Sequence, residues 1–444
     1  MPDRGAGSRW LPGCLGPGGP ASRGRQAYSR LCTRSEPLRR KGVFAVDELK
    51  RKLEELRAAC DWQGTLRFVE EKLNSVSESA KAKVELYRAA GFAYCQLGLY
   101  QEAIGFYELW KELAPKSAAA RYCLGYAYAQ MKRYPEAIAW FDQALKLHPK
   151  YIVCLYRKGV ALLEWGKPKL ASRCFEEALQ AYAEASEDVR RANQKYLVKS
   201  TFDLGKAYSQ CRRLKDAVRM FQWILEHDAK GYLDRHFVHY NLGKAYLDLN
   251  ELALAEEQLQ LALKDHEDKE YVWERLGYLA HRRQDYPQAL QHYQRALDCR
   301  YVPYVLVSRA ETHVAMGNIS LAVKDLLEAL RRDRLGKHKI WIRLAELALM
   351  QKREDLAESN YRKAIDFKRK MYGTDCAQAR YALAQLYFRQ GKKDEAREEL
   401  RQAVLANPNL SWDHKIFRAL GLPLPLPGMR FEAVQDEAER SETP

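Results

Sequence analysis

Nine times along the chain, a small residue is followed at fixed distances by other residues of set size. The nine starting points are Gly91, Gly125, Gly159, Gly205, Gly243, Gly277, Ala310, Ala345 and Ala384. Twelve residues beyond each lies Ala, at 103, 137, 171, 217, 255, 289, 322, 357 and 396. Sixteen beyond lies a large apolar residue: Tyr107, Phe141, Phe175, Phe221, Leu259, Tyr293, Leu326, Tyr361 and Leu400. Nineteen beyond lies Ala again, except at Trp110 and Ile224. Two helices can approach closely only where their contact points carry Gly or Ala, so the pattern predicts helical hairpins paired at these positions. The large residue is expected to fill the wedge where successive hairpins meet.

The rest of the chain agrees. From Val46 to about Leu420 apolar residues recur at steps of three and four, and strand-like alternation is absent. Breaks fall at Gly98, Pro115, Gly166, Gly317 and Gly391, and Pro115, Pro149 and Pro408 lie twenty-four residues past their starting points, where a second helix must stop. The fold class is therefore all-α. Residues 1–45 form a Gly-, Pro- and Arg-rich leader with no hydrophobic period, expected to be disordered. Residues 46–84 read as a degenerate first hairpin, with Leu53 as its starting point and Thr65 in the place of Ala. Nine units fill 85–408, a capping helix is expected over 409–421, and a Pro-rich stop and acidic tail over 422–444. The long 46-residue step between Gly159 and Gly205 should extend its two flanking helices.

These motifs resemble the tetratricopeptide repeat family. Trp273 and Trp341, four residues before their starting points, match its first position, and Tyr94, Tyr128, Tyr208, Tyr246 and Tyr387 match the place three after. The resemblance covers about 85–404. It implies an α-α superhelix, or solenoid, of nine to ten hairpins, with the first helices building a concave face.

The formal charge of +16 is unevenly spread: the first 46 residues hold +7, and the tail from Arg430 holds −3. The mild remainder draws no phosphate-tracking stripe, because clusters such as "CRRLKD" and "LRRDRLGKHK" fall at turns and helix ends. Nucleic acid is thus a secondary expectation. No run of about 18 apolar residues occurs. The ten Cys form no CxxC pair and sit mostly in apolar, periodic segments, which suits buried thiols in a reducing, cytoplasmic compartment. The acid-poor, Arg-bearing leader also fits a mitochondrial targeting segment.

Signatures of catalysis are missing: there is no GxxxxGK[ST], GxSxG or HExxH. His236 and His239, three apart, could share a metal, but ordinary histidines at a repeat's first turn are the plainer reading. No enzyme activity, metal or cofactor is expected.

Carried over from the family, the concave face holds Phe92, Tyr122, Tyr126, Tyr156, Phe202, Lys206, Tyr240, Lys244, Tyr278, Arg282, Tyr381 and Phe388. Tyr suits a half-wet recognition surface, its ring covered and its hydroxyl free. The family's clamp for acidic chaperone tails, which uses Lys, Asn, Asn, Lys and Arg, is not reproduced. Asn241 and Arg275 match it, but Phe202, Tyr271 and Lys206 do not. The expected function is a non-catalytic scaffold or adaptor that holds a peptide or helix of another protein in the groove, the alternatives being an RNA-binding helical-repeat protein or a non-catalytic subunit of an enzyme or organellar assembly complex.

Overall fold

The computed structural model describes residues 46–75, 79–264, 266–408, 410–422 and 430–431. The leader, residues 1–45, and most of the acidic tail lie outside the described residues. The chain divides into two compact units, one ending at Leu233 and the other beginning at Asp234. Twenty-one helices run through the described residues.

The first unit holds α1 (Val46–Ala58), α2 (Trp62–Ser75), α3 (Ala80–Gln96), α4 (Tyr100–Leu113), α5 (Ala118–Gln130), α6 (Tyr134–Leu147), α7 (Ile152–Glu164), α8 (Pro168–Ala183), α9 (Glu187–Gln210) and α10 (Leu214–His227). The second holds α11 (Arg235–Leu249), α12 (Leu252–Leu263), α13 (Glu270–Arg282), α14 (Tyr286–Cys299), α15 (Pro303–Ala315), α16 (Ile319–Arg332), α17 (Lys337–Met350), α18 (Glu354–Tyr372), α19 (Ala377–Arg389), α20 (Lys393–Ala406) and the short α21 (His414–Ala419). Within each unit successive helices pack as hairpins, as expected. The long step lengthens α9 to 24 residues and α8 to 16.

The small-residue spacing finds its cause inside each hairpin. A Cβ built on Gly125 would lie 2.6 Å from a ring carbon of Phe141, and one on Gly277 would lie 2.6 Å from Tyr293. Gly159 and Gly205 face Phe175 and Phe221 in the same way, and Gly243 faces Leu259. The large residue therefore lies on the glycine of its own hairpin, where the sequence had suggested the junction between hairpins. The reason is steric: at these glycines a Cβ would overlap the ring or branched side chain that lies between the two close helices. All nine Ala residues at the twelve-residue spacing are fully buried.

A second regularity sets the turns. The residue seven past each starting point is left-handed in all nine units, with φ from 59° at Lys132 to 78° at Gly391. The next residue's amide then bonds back to a carbonyl five residues earlier, as Leu99 does to Tyr94 (2.9 Å) and Lys392 to Tyr387 (2.9 Å). This satisfies carbonyls that the end of the first helix would leave unpaired, and it reverses the chain in three residues. Four units place Gly at the left-handed position. Lys132, Arg212, Asn250, Gln284 and Lys352 occupy it elsewhere.

The ends close differently. The degenerate hairpin α1–α2 buries Leu49, Leu53 and Val69 against Leu86, Ala90 and Phe106 of the first full repeat. At the other end, Trp412 is fully buried with Ile416, Phe417 and Leu420 against α19 and α20. Ser411–Trp412 (β1) pairs in parallel with Arg430–Phe431 (β2). The sequence had suggested a plain stop there, and a two-residue ladder has no hydrophobic period by which to be recognised.

Two substitutions test these contacts by urea midpoint. Gly125→Ala should cost about 1–3 kcal/mol, because its methyl meets Phe141 and the Ala137 carbonyl. Lys132→Gly should gain up to about 1 kcal/mol by relieving the left-handed residue. A neutral Gly125→Ala would contradict the packing account.

Candidate functional site

In the first unit, α1, α3, α5, α7 and α9 are the first helices of their hairpins, and their side chains form one aromatic and basic surface. At its start a cavity of about 290 Å³ is lined by Lys50, Arg57, Trp62, Arg88, Phe92, Tyr122 and Tyr151, among others. Phe92 is held between the Trp62 ring, edge-on at 5.5 Å, and the Arg57 guanidinium at 4.6 Å. Arg88 is paired with Glu85 at 2.6 Å, which Lys50 also approaches at 3.7 Å. Tyr122 stacks obliquely on Tyr151, 5.4 Å away. Phe92 and Tyr122, chosen from sequence, thus share one cavity.

Further along, Arg157 on α7 sits among tyrosines. Its guanidinium lies 5.2 Å from the Tyr126 ring and 5.6 Å from Tyr156, with Tyr122 and Tyr196 close enough to act on its charge. Its Nε is buried without a hydrogen-bond partner, and no carboxylate among the described residues pairs with it. Burial opposes the charge, but the four phenols offset this and hold its pKa above the usual arginine value. Nearby Lys199 is pushed below the usual lysine value, first by burial and then by the like charges of Arg157 and Lys195. Unneutralised, partly desolvated cations favour the arrival of an anion.

Not every chosen residue stands free on this surface. Tyr156 is buried, and its hydroxyl donates to Asp203 at 3.1 Å, so it serves packing more than recognition. Lys206 donates to the same carboxylate at 2.8 Å while lying over the Phe202 ring. Sequence reasoning missed Trp62, Tyr151 and Tyr196. Trp62 lies on a second helix, Tyr151 caps α7, and Tyr196 lies on the part of α9 that exceeds the usual repeat.

In the second unit the corresponding cations are mostly engaged. Arg275 pairs with Glu274 at 3.1 Å, and Arg343 bridges Glu311 and Glu346. Tyr240 meets Tyr271 edge-on at 4.8 Å, with Lys244 over its ring at 5.5 Å. Arg282 donates to Asn250 (2.8 Å) and to Tyr278 (3.3 Å). Tyr381 is covered by the chain itself: its hydroxyl accepts from the Asp413 amide and its ring meets Trp412 at 5.2 Å. Phe388 lines a separate hollow with Asp413, Lys415 and Ile416. His236 and His239 do not converge. His239 bonds to Gln258 at 2.8 Å, while His236 bonds to Tyr271 at 2.6 Å and faces Asp234 and His266.

Hairpins repeated at this spacing, with a large apolar side chain on each starting glycine, define a helical-repeat scaffold. One tetratricopeptide repeat model matches residues 116–184 and 336–404, and another matches residues 240–300. The chain is a tetratricopeptide repeat protein.

Solved structures similar to parts of it include MamA from Desulfovibrio magneticus RS-1, 24% identical over 41% of this chain and 94% of that one, with a TM-score of 0.35. PilF of Pseudomonas aeruginosa is 18% identical over 50% of this chain and 95% of its own, with a TM-score of 0.38. Human IFIT1, as a dimer with PPP-AAAA, is 14% identical over 82% of this chain and 91% of its own, with a TM-score of 0.45. None of these likenesses bears on what this chain binds. No curated protein matches. No described helix is long and apolar enough to cross a membrane.

Tyr156 and Tyr126 should respond differently to loss of the hydroxyl. Tyr156→Phe removes a bond to a buried carboxylate and should cost about 1–3 kcal/mol. Tyr126→Phe should leave thermal stability nearly unchanged. Equal losses would contradict the division between packing and groove.

Proposed function

We propose that the protein is a non-catalytic adaptor that holds an acidic segment of a partner protein on the first unit's concave surface. The observation that carries this reading is Arg157, a cation ringed by tyrosines with no carboxylate among the described residues to neutralise it. A partner Asp, Glu or chain-terminal carboxylate would supply the missing charge and form a charge-assisted bond in a partly dry site. Tyr122, Tyr126 and Phe92 would supply apolar contact area around it, as aromatic anchors do at interfaces. Binding here requires no rearrangement of the hairpins, whose spacing is set by their own cores.

The second unit supports a different contribution. Arg275 and Arg343, the cations that correspond to Arg157, face acids of their own, so an incoming carboxylate would have to displace one already there. Specificity for an acidic segment therefore rests on the first unit.

The test is capture of cellular partners by the full chain and by Arg157→Gln/Lys199→Gln, with and without nuclease. The double variant should keep its circular-dichroism spectrum and lose its strongest protein partner at least tenfold, as truncated interface arginines do. A control with exposed Lys116 and Lys146 both changed to Gln should keep that partner. Crosslinking should place an acidic stretch of the partner beside Tyr126. Retention by the double variant, or loss of every partner on nuclease treatment, would overturn the reading.

A further inference from the structure

Separate from the groove, the second unit brings together Asp234, His236 and His266, whose donor atoms all lie within 4.8 Å of one another. Asp234 caps the start of α11, and its Oδ1 accepts from the His236 amide at 3.1 Å, which fixes the carboxylate. That oxygen lies 3.2 Å from His236 Nδ1, while Oδ2 lies 3.3 Å from His266 Nε2. Donors around a tetrahedral ion with bonds near 2.0 Å stand about 3.3 Å apart, and each imidazole nitrogen lies at that spacing from one oxygen of the carboxylate, a different oxygen in each case.

His236 supplies the second observation. Its side chain is only 5% exposed, and its Nδ1 is buried without an aligned hydrogen bond although it faces the carboxylate. Its other ring nitrogen is 2.6 Å from the Tyr271 hydroxyl. With Nε2–H donating to Tyr271, the Nδ1 lone pair is directed at Asp234 and His266, the arrangement an outer partner imposes on a metal-binding imidazole. His266 is 30% exposed and Asp234 48%, which leaves the outer side open to a water ligand. Lys269, the neighbouring cation, is neutralised by Asp268 at 2.5 Å.

We propose that Asp234, His236 and His266 bind a divalent transition-metal ion, with zinc as the best fit. Two imidazoles and one carboxylate suit zinc or cobalt and disfavour magnesium and calcium, which take oxygen ligands. The ion clips His266, in the segment leading to α13, to the first turn of α11. It thereby ties two successive hairpins by their ends.

The full chain, free of affinity tags and stripped with a chelator, is titrated with Co²⁺ and then with Zn²⁺ against a chromophoric competitor. The parent should develop the visible spectrum of cobalt in a low-coordinate site, lose it to Zn²⁺, and melt at a higher temperature with Zn²⁺ present. Asp234→Asn, which keeps the cap, and His266→Ala, at a partly exposed position, should each weaken binding at least tenfold and abolish the rise in melting temperature. Tyr271→Phe should weaken binding by about tenfold, the lower end for an outer partner. His239→Ala should bind as the parent does. Absence of binding by the parent, or equal binding by Asp234→Asn and His266→Ala, would overturn the proposal.

Discussion

The contact between a large second-helix side chain and a small first-helix residue, a ring on a glycine in five of the nine hairpins, is the constraint on which the rest of this fold depends. It holds the two helices of a hairpin at one distance. That distance is what lets the next hairpin stack in the same way and bury its own apolar face. Five of the six glycine starting points face a ring, and the sixth faces Leu259. Of the three alanine starting points, two are followed by Leu326 and Leu400, so a larger starting residue tends to go with a smaller filler. Ala345, in one core cluster with Tyr361, is the exception, and it shows that one extra methyl is compatible with a ring in at least one hairpin.

Because the core is built from second helices and the inner sides of first helices, the remaining face of each first helix is free to vary. The two units use that freedom differently. In the first, tyrosines surround Arg157, which has no carboxylate partner among the described residues, and in the second the corresponding Arg275 and Arg343 face acids on the same surface. This difference in neutralisation is the ground for proposing that an anionic partner would engage the first unit.

The repeat arithmetic was legible because sterics act at fixed sequence distances: the starting glycines, the alanines twelve on and the large residues sixteen on all fall in the core. The left-handed turn residues were legible only where Gly occupied them, since Lys132 and Arg212 adopt the same backbone without signalling it. Site residues were harder to read, because a position on the concave face does not say what lies beside it. Tyr156 occupies such a position and is buried on Asp203, and Tyr381 is covered by Trp412 from the end of the chain. The cluster of Asp234, His236 and His266 was invisible because thirty residues separate the two histidines, and only the return of the chain between α12 and α13 brings them together.

The most direct measurement is a double-mutant cycle on one hairpin, pairing Gly159→Ala with Phe175→Leu and reading denaturant stability for all four proteins. If the ring on the glycine fixes helix spacing, the added methyl should be costly beside Phe175 and nearly free beside Leu. The coupling should then be about 1 kcal/mol or more. Costs that add to within about 0.5 kcal/mol would show that the two positions act independently, and would contradict the account.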